Sequence, residues 1–208
     1  MHTQRKTAQW VAVMVTCLLT ACGSLLESGK PARQVYVLQT PAAPAQAPAE
    51  NKAPTLVMSV TAVPGMDSDL VQALGNDARL SPVANAHWPD NLPEVLSSIT
   101  RHYLTETGKF ESVRKGSIAR PDQWLLELEI TAFHGTMDGS GSITGVVLEL
   151  QGMLHCNDAN KDLSISQHAA TVGDSLTALV AAHQQVLDAA LRELPDQIIQ
   201  ACAENTHS

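Results

Sequence analysis

Aromatic residues are scarce in this chain of 208 residues, which contains three tryptophans, two tyrosines and two phenylalanines. Because aromatic side chains bury the largest apolar areas, the few present are expected to fill the largest positions of a core or a pocket. Beyond the first 21 residues these are Trp88, Trp124, Tyr36, Tyr103, Phe110 and Phe133.

Positive charge is also in short supply, since 13 Lys and Arg residues stand against 21 Asp and Glu residues, for a formal net charge of −8. Loss of Arg5 and Lys6 with the N-terminal segment described next makes the balance more negative still. An acidic surface repels phosphate groups. The composition therefore argues against nucleic acid or an anionic lipid surface as a non-specific partner.

No apolar run is long enough to span a bilayer and remain there. The longest near the N-terminus, residues 10–19, follows Arg5 and Lys6 and ends in the motif LTAC at residues 19–22. This arrangement predicts a signal peptide over residues 1–21. The LTAC motif resembles the bacterial lipobox, in which the cysteine is lipidated and the peptide is cut just before it. The alternative is a buried N-terminal helix of a cytosolic protein, although nothing polar gives the run a second face.

Cys22 is the predicted lipidation site. Each buried CH₂ of an acyl chain contributes roughly 0.8 kcal/mol, so several chains anchor a protein firmly. Gly23 follows where familiar enteric lipoproteins retained at the inner membrane have aspartate. The lipobox resemblance therefore implies the periplasmic face of the outer membrane, with residues 22–33 as the lipidated tether and residues 34–208 as one periplasmic domain.

Only two of the four cysteines are left for the domain, because Cys17 belongs to the signal peptide and Cys22 carries the lipid. Cys156 and Cys202 would then lie in an oxidising compartment, where disulfides persist. A disulfide between them and a pair of buried free thiols remain open alternatives, since sequence does not give the distance between their Cα atoms.

Motifs of catalysis and of cofactor binding are missing. The chain has no HExxH, no GxSxG at a strand-to-helix turn, no P-loop and no dinucleotide fingerprint, so we predict no metal, no cofactor and no enzymatic activity. Its eight histidines are scattered. His183 is expected to be a hydrogen-bonded core residue rather than a ligand, and His155 and His168 are candidates to face one another across a hairpin.

Hydrophobic periodicity predicts an α+β fold. Strands are expected at residues 34–39, 55–63 and 110–113, and at 124–131, 146–154 and 163–172, the last three forming an antiparallel meander. Residues 66–87 are irregular, with short strands near 79–80 and 83–84. A helix follows Asn91, and a long amphipathic helix begins at Asp174-Ser175, with a kink or restart at Pro195. We predict a two-layer sandwich, a mainly antiparallel sheet with both amphipathic helices on one face.

The segment of residues 40–54 is dominated by proline and alanine. Such a composition is typical of a semi-extended linker. It is predicted to be an exposed spacer within the domain.

Three short motifs in order carry a family resemblance: VYVL at residues 35–38, AHWPDNL at 86–92 and LLELEITAF at 125–133. With the lipobox and the C-terminal amphipathic helix, the chain resembles the ABC-type transport auxiliary lipoproteins of the PqiC kind. The resemblance implies an adaptor at the outer membrane for a transport system whose MCE-domain proteins move lipids between membranes. It covers nearly the whole mature chain, but residues 40–54 are longer than expected and His87 stands where a basic residue is expected.

The docking face for an MCE-domain partner is not visible in the sequence, but exposed loops on a rigid scaffold usually carry recognition. Residues 66–87 and the glycine-rich hairpin loop at 137–142 are the candidates, against ordinary solvent-exposed connections. Two other functions are weighed: a pilotin-like assembly factor for an outer-membrane secretin or export machine, and a carrier with an apolar lipid pocket. A homo-oligomer is also left open.

Overall fold

The computed structural model describes residues 32–44, 52–156, 159–173 and 175–203. The predicted signal peptide, Cys22 and most of the tether lie outside the described residues. So do the middle of the proline and alanine segment, at residues 45–51, and the cap candidate Asp174.

Eight strands and two helices make up the domain from Arg33 onwards. In chain order they are β1 (Gln34–Val35), β2 (Leu56–Ala62), β3 (Leu70–Leu74), β4 (Leu80–His87), α1 (Leu92–Glu106), β5 (Val113–Lys115), β6 (Trp124–Met137), β7 (Ile143–Cys156), β8 (Ala159–Ala170) and α2 (Leu176–Ala203).

The strands form a single mixed sheet around β6. Strands β7 and β8 follow on one side of β6 as an antiparallel meander. On its other side β2 and β3 lie one after the other, and both run parallel to β6. Strand β5 extends the sheet beyond β2. Strands β4 and β1, in that order, extend it beyond β3. The meander predicted from the sequence is confirmed, and the parallel pairs are an addition to it.

Both helices pack on the same face of the sheet, α1 against β2 and β5 and α2 against β7 and β8. The predicted fold class, an α+β sandwich with two helices on one face, is confirmed. Neither helix in the described part of the chain is long and apolar enough to cross a membrane.

Strand β6 shows how the sequence pattern builds the core. Trp124, Leu126, Leu128 and Ile130 alternate with more exposed residues and are all under 9% exposed, as their spacing predicts. Beyond a bulge after Ile130 the strand continues to Met137. The scarce aromatic residues lie where expected, because Trp88, Tyr103 and Phe133 are among the largest fully buried side chains.

The segment predicted as irregular forms an antiparallel hairpin of β3 and β4. Its second strand overlaps the two short strands expected there, but β3 was not predicted. Its five residues are too few for a clear alternation, and a register shift interrupts the pairing between Leu70 and Gln72. The predicted first strand is shorter than expected, since only Gln34 and Val35 pair with β4 before the chain leaves the sheet.

The proline and alanine segment is not an exposed spacer at its described ends. Pro41 is buried, and Ala43 packs against the core. At the other end, Ala53 forms a parallel bridge with Phe110. Small residues and proline rings fit against packed helices at little entropic cost, which a composition-based prediction of a linker does not take into account.

Helix α2 runs without interruption through Pro195, so the predicted restart is wrong. Leu194 and Ile198, on either side of the proline, are fully buried. Burial of this apolar stripe stabilises the helix across the hydrogen bond that proline removes.

The far end of α2 is joined to the sheet by a disulfide between Cys156 and Cys202, whose Cα atoms are 5.8 Å apart. Cys156 ends β7 and Cys202 lies in the last turn of α2. The bridge therefore fixes the C-terminal end of the helix against the sheet.

His183 is a core residue, as predicted. Its Nδ1 lies 2.9 Å from the carbonyl oxygen of Leu179, and its ring packs edge-on against Trp88 and Phe133. Burial lowers the pKa of His183 to about 4. The expectation that His155 and His168 face one another is wrong, because the register pairs His155 with Asn160.

Candidate docking site

Three connections meet at the end of the sheet where β6 finishes and β7 begins. They are the β3–β4 turn (residues 75–79), the β6–β7 loop (138–142) and the β8–α2 connection (171–175), which together we call the docking end. The parallel pairing of β3 with β6 brings the first two together, and the β7–β8 pairing brings the third. Parts of both segments singled out in the sequence therefore lie side by side.

The β6–β7 loop is held in shape by one carboxylate. Asp138 Oδ1 accepts hydrogen bonds from the backbone N–H groups of Ser140 (2.8 Å) and Ser142 (3.1 Å) and from the Ser140 hydroxyl (2.6 Å). These donors, the hydroxyl first, hold the pKa of Asp138 below its usual value. Gly141 has φ +85°, a conformation that glycine adopts without strain.

Asn76 connects the first two loops. In the amide orientation that satisfies both of its polar atoms, the Asn76 amide nitrogen donates to the carbonyl oxygen of Met137 (2.9 Å). Its oxygen accepts from the backbone N–H of Gly139 (3.0 Å). One side chain therefore couples the positions of two hairpins that are about 60 residues apart in the chain.

The third connection is fixed at both of its ends. Thr171 donates through its backbone N–H to Thr144 and through its hydroxyl to Ile143. Ser175 caps α2, accepting a hydrogen bond from the backbone N–H of Ala178 on its side-chain oxygen (3.1 Å). Between them Val172 is 93% exposed.

A groove of about 410 Å³ opens between the middle of β4, the β6–β7 loop, the β8–α2 connection and the start of α2. Its described lining combines apolar side chains with hydroxyl groups and glycine backbone, and none of these residues is charged. They are Val83, Ala84, Gly141, Ser142, Ile143, Thr171, Gly173, Ser175, Leu176 and Leu179.

This lining supports binding rather than a reaction. Apolar walls and hydroxyl groups can hold an apolar side chain and a few backbone groups of a ligand. General acid–base or nucleophilic chemistry needs titratable groups in hydrogen-bond reach of one another, and the described lining has none. Across the described ranges, no cluster of three or more His, Cys, Asp or Glu residues could hold a metal ion.

His87 lies at the base of the same hairpin, on the opposite side from the turn. Its Nδ1 is 3.1 Å from the carboxylate of Asp69, which also forms an ion pair with Arg33. Arg33, the last residue of the predicted tether, therefore places a positive charge on the same carboxylate as His87.

The remaining predicted site residues are not brought to the docking end. Cys22 lies outside the described residues, and Cys156 and Cys202 lie at the opposite end of the sheet. The β8–α2 connection was not among the loops selected from the sequence, where Val172 was placed at the end of a predicted strand.

Comparison with protein families identifies the chain. The model of the ABC-type transport auxiliary lipoprotein component family matches residues 36–194, about three quarters of the sequence. The chain belongs to this family. The resemblance drawn from the three motifs is confirmed.

Solved structures share the fold. Protein XCC0632 from Xanthomonas campestris, assigned to the DUF330 family model, is 17% identical with a TM-score of 0.68, and the match covers 84% of this chain and 100% of that one. An uncharacterised protein is 16% identical with a TM-score of 0.64, with coverage of 81% and 99%. At such identities the likeness concerns the fold alone. No curated protein matches the chain significantly.

Proposed function

We propose that this transport auxiliary lipoprotein is anchored to the periplasmic face of the outer membrane and acts as an adaptor of an ABC/MCE-type lipid transport system. The partner is an MCE-domain protein that docks at the docking end. Membership of the family supports a lipoprotein with an auxiliary role in transport. The membrane, the partner and the docking face are the proposed parts.

The observation that carries the proposal is the uncharged groove between β4, the β6–β7 loop and the β8–α2 connection. It has room for a short apolar segment of a partner, and the Asp138 and Asn76 hydrogen bonds hold its walls before a partner arrives. Preformed walls reduce the entropy lost on binding. An auxiliary role in transport fits a groove of this kind, and the absence of enzymatic activity stays a prediction made from the sequence motifs.

The predicted anchor sets the reach of the domain. A fully extended tether over residues 22–33 spans about 40 Å. Because Arg33 is paired with Asp69, the tether starts from the sheet edge formed by β1.

Site-specific photocrosslinking tests the proposal. A photoreactive residue replaces Val172 in the full-length lipoprotein, and the crosslinked partner is identified by mass spectrometry after gentle solubilisation. Ile118, which is 86% exposed on the connection between β5 and β6, is the matched control position. We expect an MCE-domain protein at position 172 and none at 118. Capture of a secretin or an outer-membrane barrel would replace the adaptor by the pilotin-like function.

A further inference from the structure

Strand β8 is a long edge of the sheet that is neither shortened nor interrupted. The strands at the other two ends of the strand order, β1 and β5, have two and three residues, whereas β8 has twelve. Its pairing with β7 has no bulge, and it contains no proline. Proteins normally shorten, bend or cover such an edge, because unpaired backbone groups recruit further strands.

The hydrogen-bond register shows which backbone groups are free. Thr171 donates to Thr144, so this pair exchanges hydrogen bonds in the antiparallel ladder. Because hydrogen-bonded and non-hydrogen-bonded pairs alternate, the odd-numbered residues of β8 bond to β7. The N–H and C=O groups of the even-numbered residues point away from the sheet, and among the described residues β8 pairs with no other strand. They are Asn160, Asp162, Ser164, Ser166, His168 and Ala170.

A groove of about 250 Å³ runs beside this edge. It is lined by four consecutive residues, from Lys161 to Ser164, together with Gln197, Gln200 and Ala201 of α2. Neighbouring residues of a strand point to opposite faces, so a groove that touches all four lies along the edge itself. Helix α2, fixed nearby by the disulfide at Cys202, forms its other wall.

The charges beside the edge select the incoming strand. On the face of the sheet opposite the helices, Glu127, Glu129, Glu149 and Asp162 are exposed. The described strands β6, β7 and β8 place no Lys or Arg on that face, since Lys161 pairs with the buried Leu154 and points to the helix side. A strand added to β8 thus lies beside Asp162 on one face, with Glu149 of β7 one strand further away. On the other face it lies beside Lys161 and the α2 residues Gln197, Gln200 and Ala201.

We infer that β8 binds an extended segment of another protein by strand addition, in the groove between β8 and α2. The segment carries Lys or Arg at the positions that face the carboxylates and small polar residues at those that face α2. Backbone hydrogen bonds supply affinity and the alternate side chains supply specificity, as in other strand-addition complexes. This inference does not depend on the docking end or on its partner.

The test uses the full-length chain purified in mild detergent and a ten-residue peptide of alternating lysine and threonine. A copy with alternating glutamate and threonine tests charge. A fully N-methylated lysine copy keeps the charges but has no backbone N–H groups. We expect the lysine peptide to bind, and the other two to bind at least tenfold more weakly.

Variants of the edge locate the binding. Ser164→Pro removes one outward N–H without removing a bond to β7, and proline is tolerated at such edge positions. Its matched control, Ser164→Ala, changes the side chain and keeps the N–H. We expect Kd for the lysine peptide to rise at least tenfold in Ser164→Pro and less than twofold in Ser164→Ala. Ser166→Pro provides a second variant if Ser164→Pro does not fold.

Three results would overturn the inference. Equal binding of the N-methylated peptide would reduce the effect to non-specific charge attraction. Unchanged affinity in a folded Ser164→Pro variant would place the peptide elsewhere. A dimer of the chain that Ser164→Pro dissociates would assign the edge to a second copy instead of another protein.

Discussion

The two ends of the central sheet are held together in different ways. At one end a covalent bond between Cys156 and Cys202 fixes α2 to β7. At the docking end, single hydrogen bonds from Asp138, Asn76 and Ser175 shape three connections around an open groove. Individual hydrogen bonds contribute about 1 kcal/mol each, much less than a disulfide.

This difference separates stability from recognition. Loss of the disulfide is expected to lower the folding free energy strongly. Replacement of a side chain at the docking end is expected to lower it only slightly. A partner that binds at the docking end therefore meets a surface that can vary while the fold persists. The following predictions test this separation, from the largest expected effect on stability to the smallest.

Removal of the disulfide should have the largest effect. With a sequence separation of 46 between its cysteines, a chain-entropy calculation gives about 4 kcal/mol of stabilisation. We expect the Cys156→Ser/Cys202→Ser double variant to unfold at a clearly lower urea concentration than the wild type. Reduction of the wild type should reproduce the shift and leave the double variant unchanged. An unchanged urea midpoint on reduction would show that the bond does not contribute.

Acid should destabilise the protein through His183. Its pKa is about 4 in the folded protein and near 6.5 when exposed, because burial disfavours the charged ring. The unfolded chain therefore binds the proton first. Stability should be complete above pH 6.5 and fall by about 3 kcal/mol as the pH drops to 4.

Urea unfolding at several pH values measures this loss, with His183→Leu as the control. That variant lacks the titrating ring, so its stability should vary less between pH 6.5 and 4. Equal pH dependence in the two proteins would assign the acid sensitivity to other groups.

Loss of the link between the loops should have a smaller effect. Asn76→Ala removes two hydrogen bonds that join the hairpins, and we expect about 1–2 kcal/mol lower stability by urea unfolding. The neighbouring Asp77→Ala removes an exposed ion pair with Arg79 and a 3.3 Å hydrogen bond from the Arg79 backbone N–H, both within one turn. It should cost less, about 0.5 kcal/mol. A cost for Asn76→Ala no larger than for Asp77→Ala would show that the loops are not coupled through this side chain.

Val172→Glu should leave stability unchanged within about 0.5 kcal/mol, because the side chain is 93% exposed. If the docking end binds an MCE-domain protein, the variant should nevertheless weaken co-purification of that partner by tenfold or more. Ile118→Glu, at the other highly exposed apolar residue, should leave co-purification intact. Equal losses in both variants would speak for a general effect of charge.

Local patterns in the sequence were sufficient for much of the fold. The alternation from Trp124 to Ile130 and the helical stripe ending at Ile198 were readable because each buries a continuous face. The helix-breaking effect of Pro195 was overestimated, because burial of Leu194 and Ile198 stabilises the helix on both sides of the proline. Strand β3 was too short and irregular to show a period.

The candidate site was only partly predictable. Both loops could be selected as exposed connections, one from an irregular segment and one rich in glycine. Their contact through Asn76 depends on the parallel pairing of β3 and β6, which joins residues about 60 positions apart. Pro44 likewise lies beside Tyr103 of α1 and Pro195 of α2, which come much later in the chain. Long-range pairing of this kind leaves no local signal.

Hydrogen exchange of the full-length lipoprotein, with and without the MCE-domain partner, tests whether the partner binds at the docking end. We expect partner-dependent protection of backbone amides in residues 75–79, 138–142 and 171–176, with no change in the last turns of α2 near Cys202. Protection confined to the last turns of α2 and to residues 159–166 would contradict it, because the partner would then bind at the disulfide end.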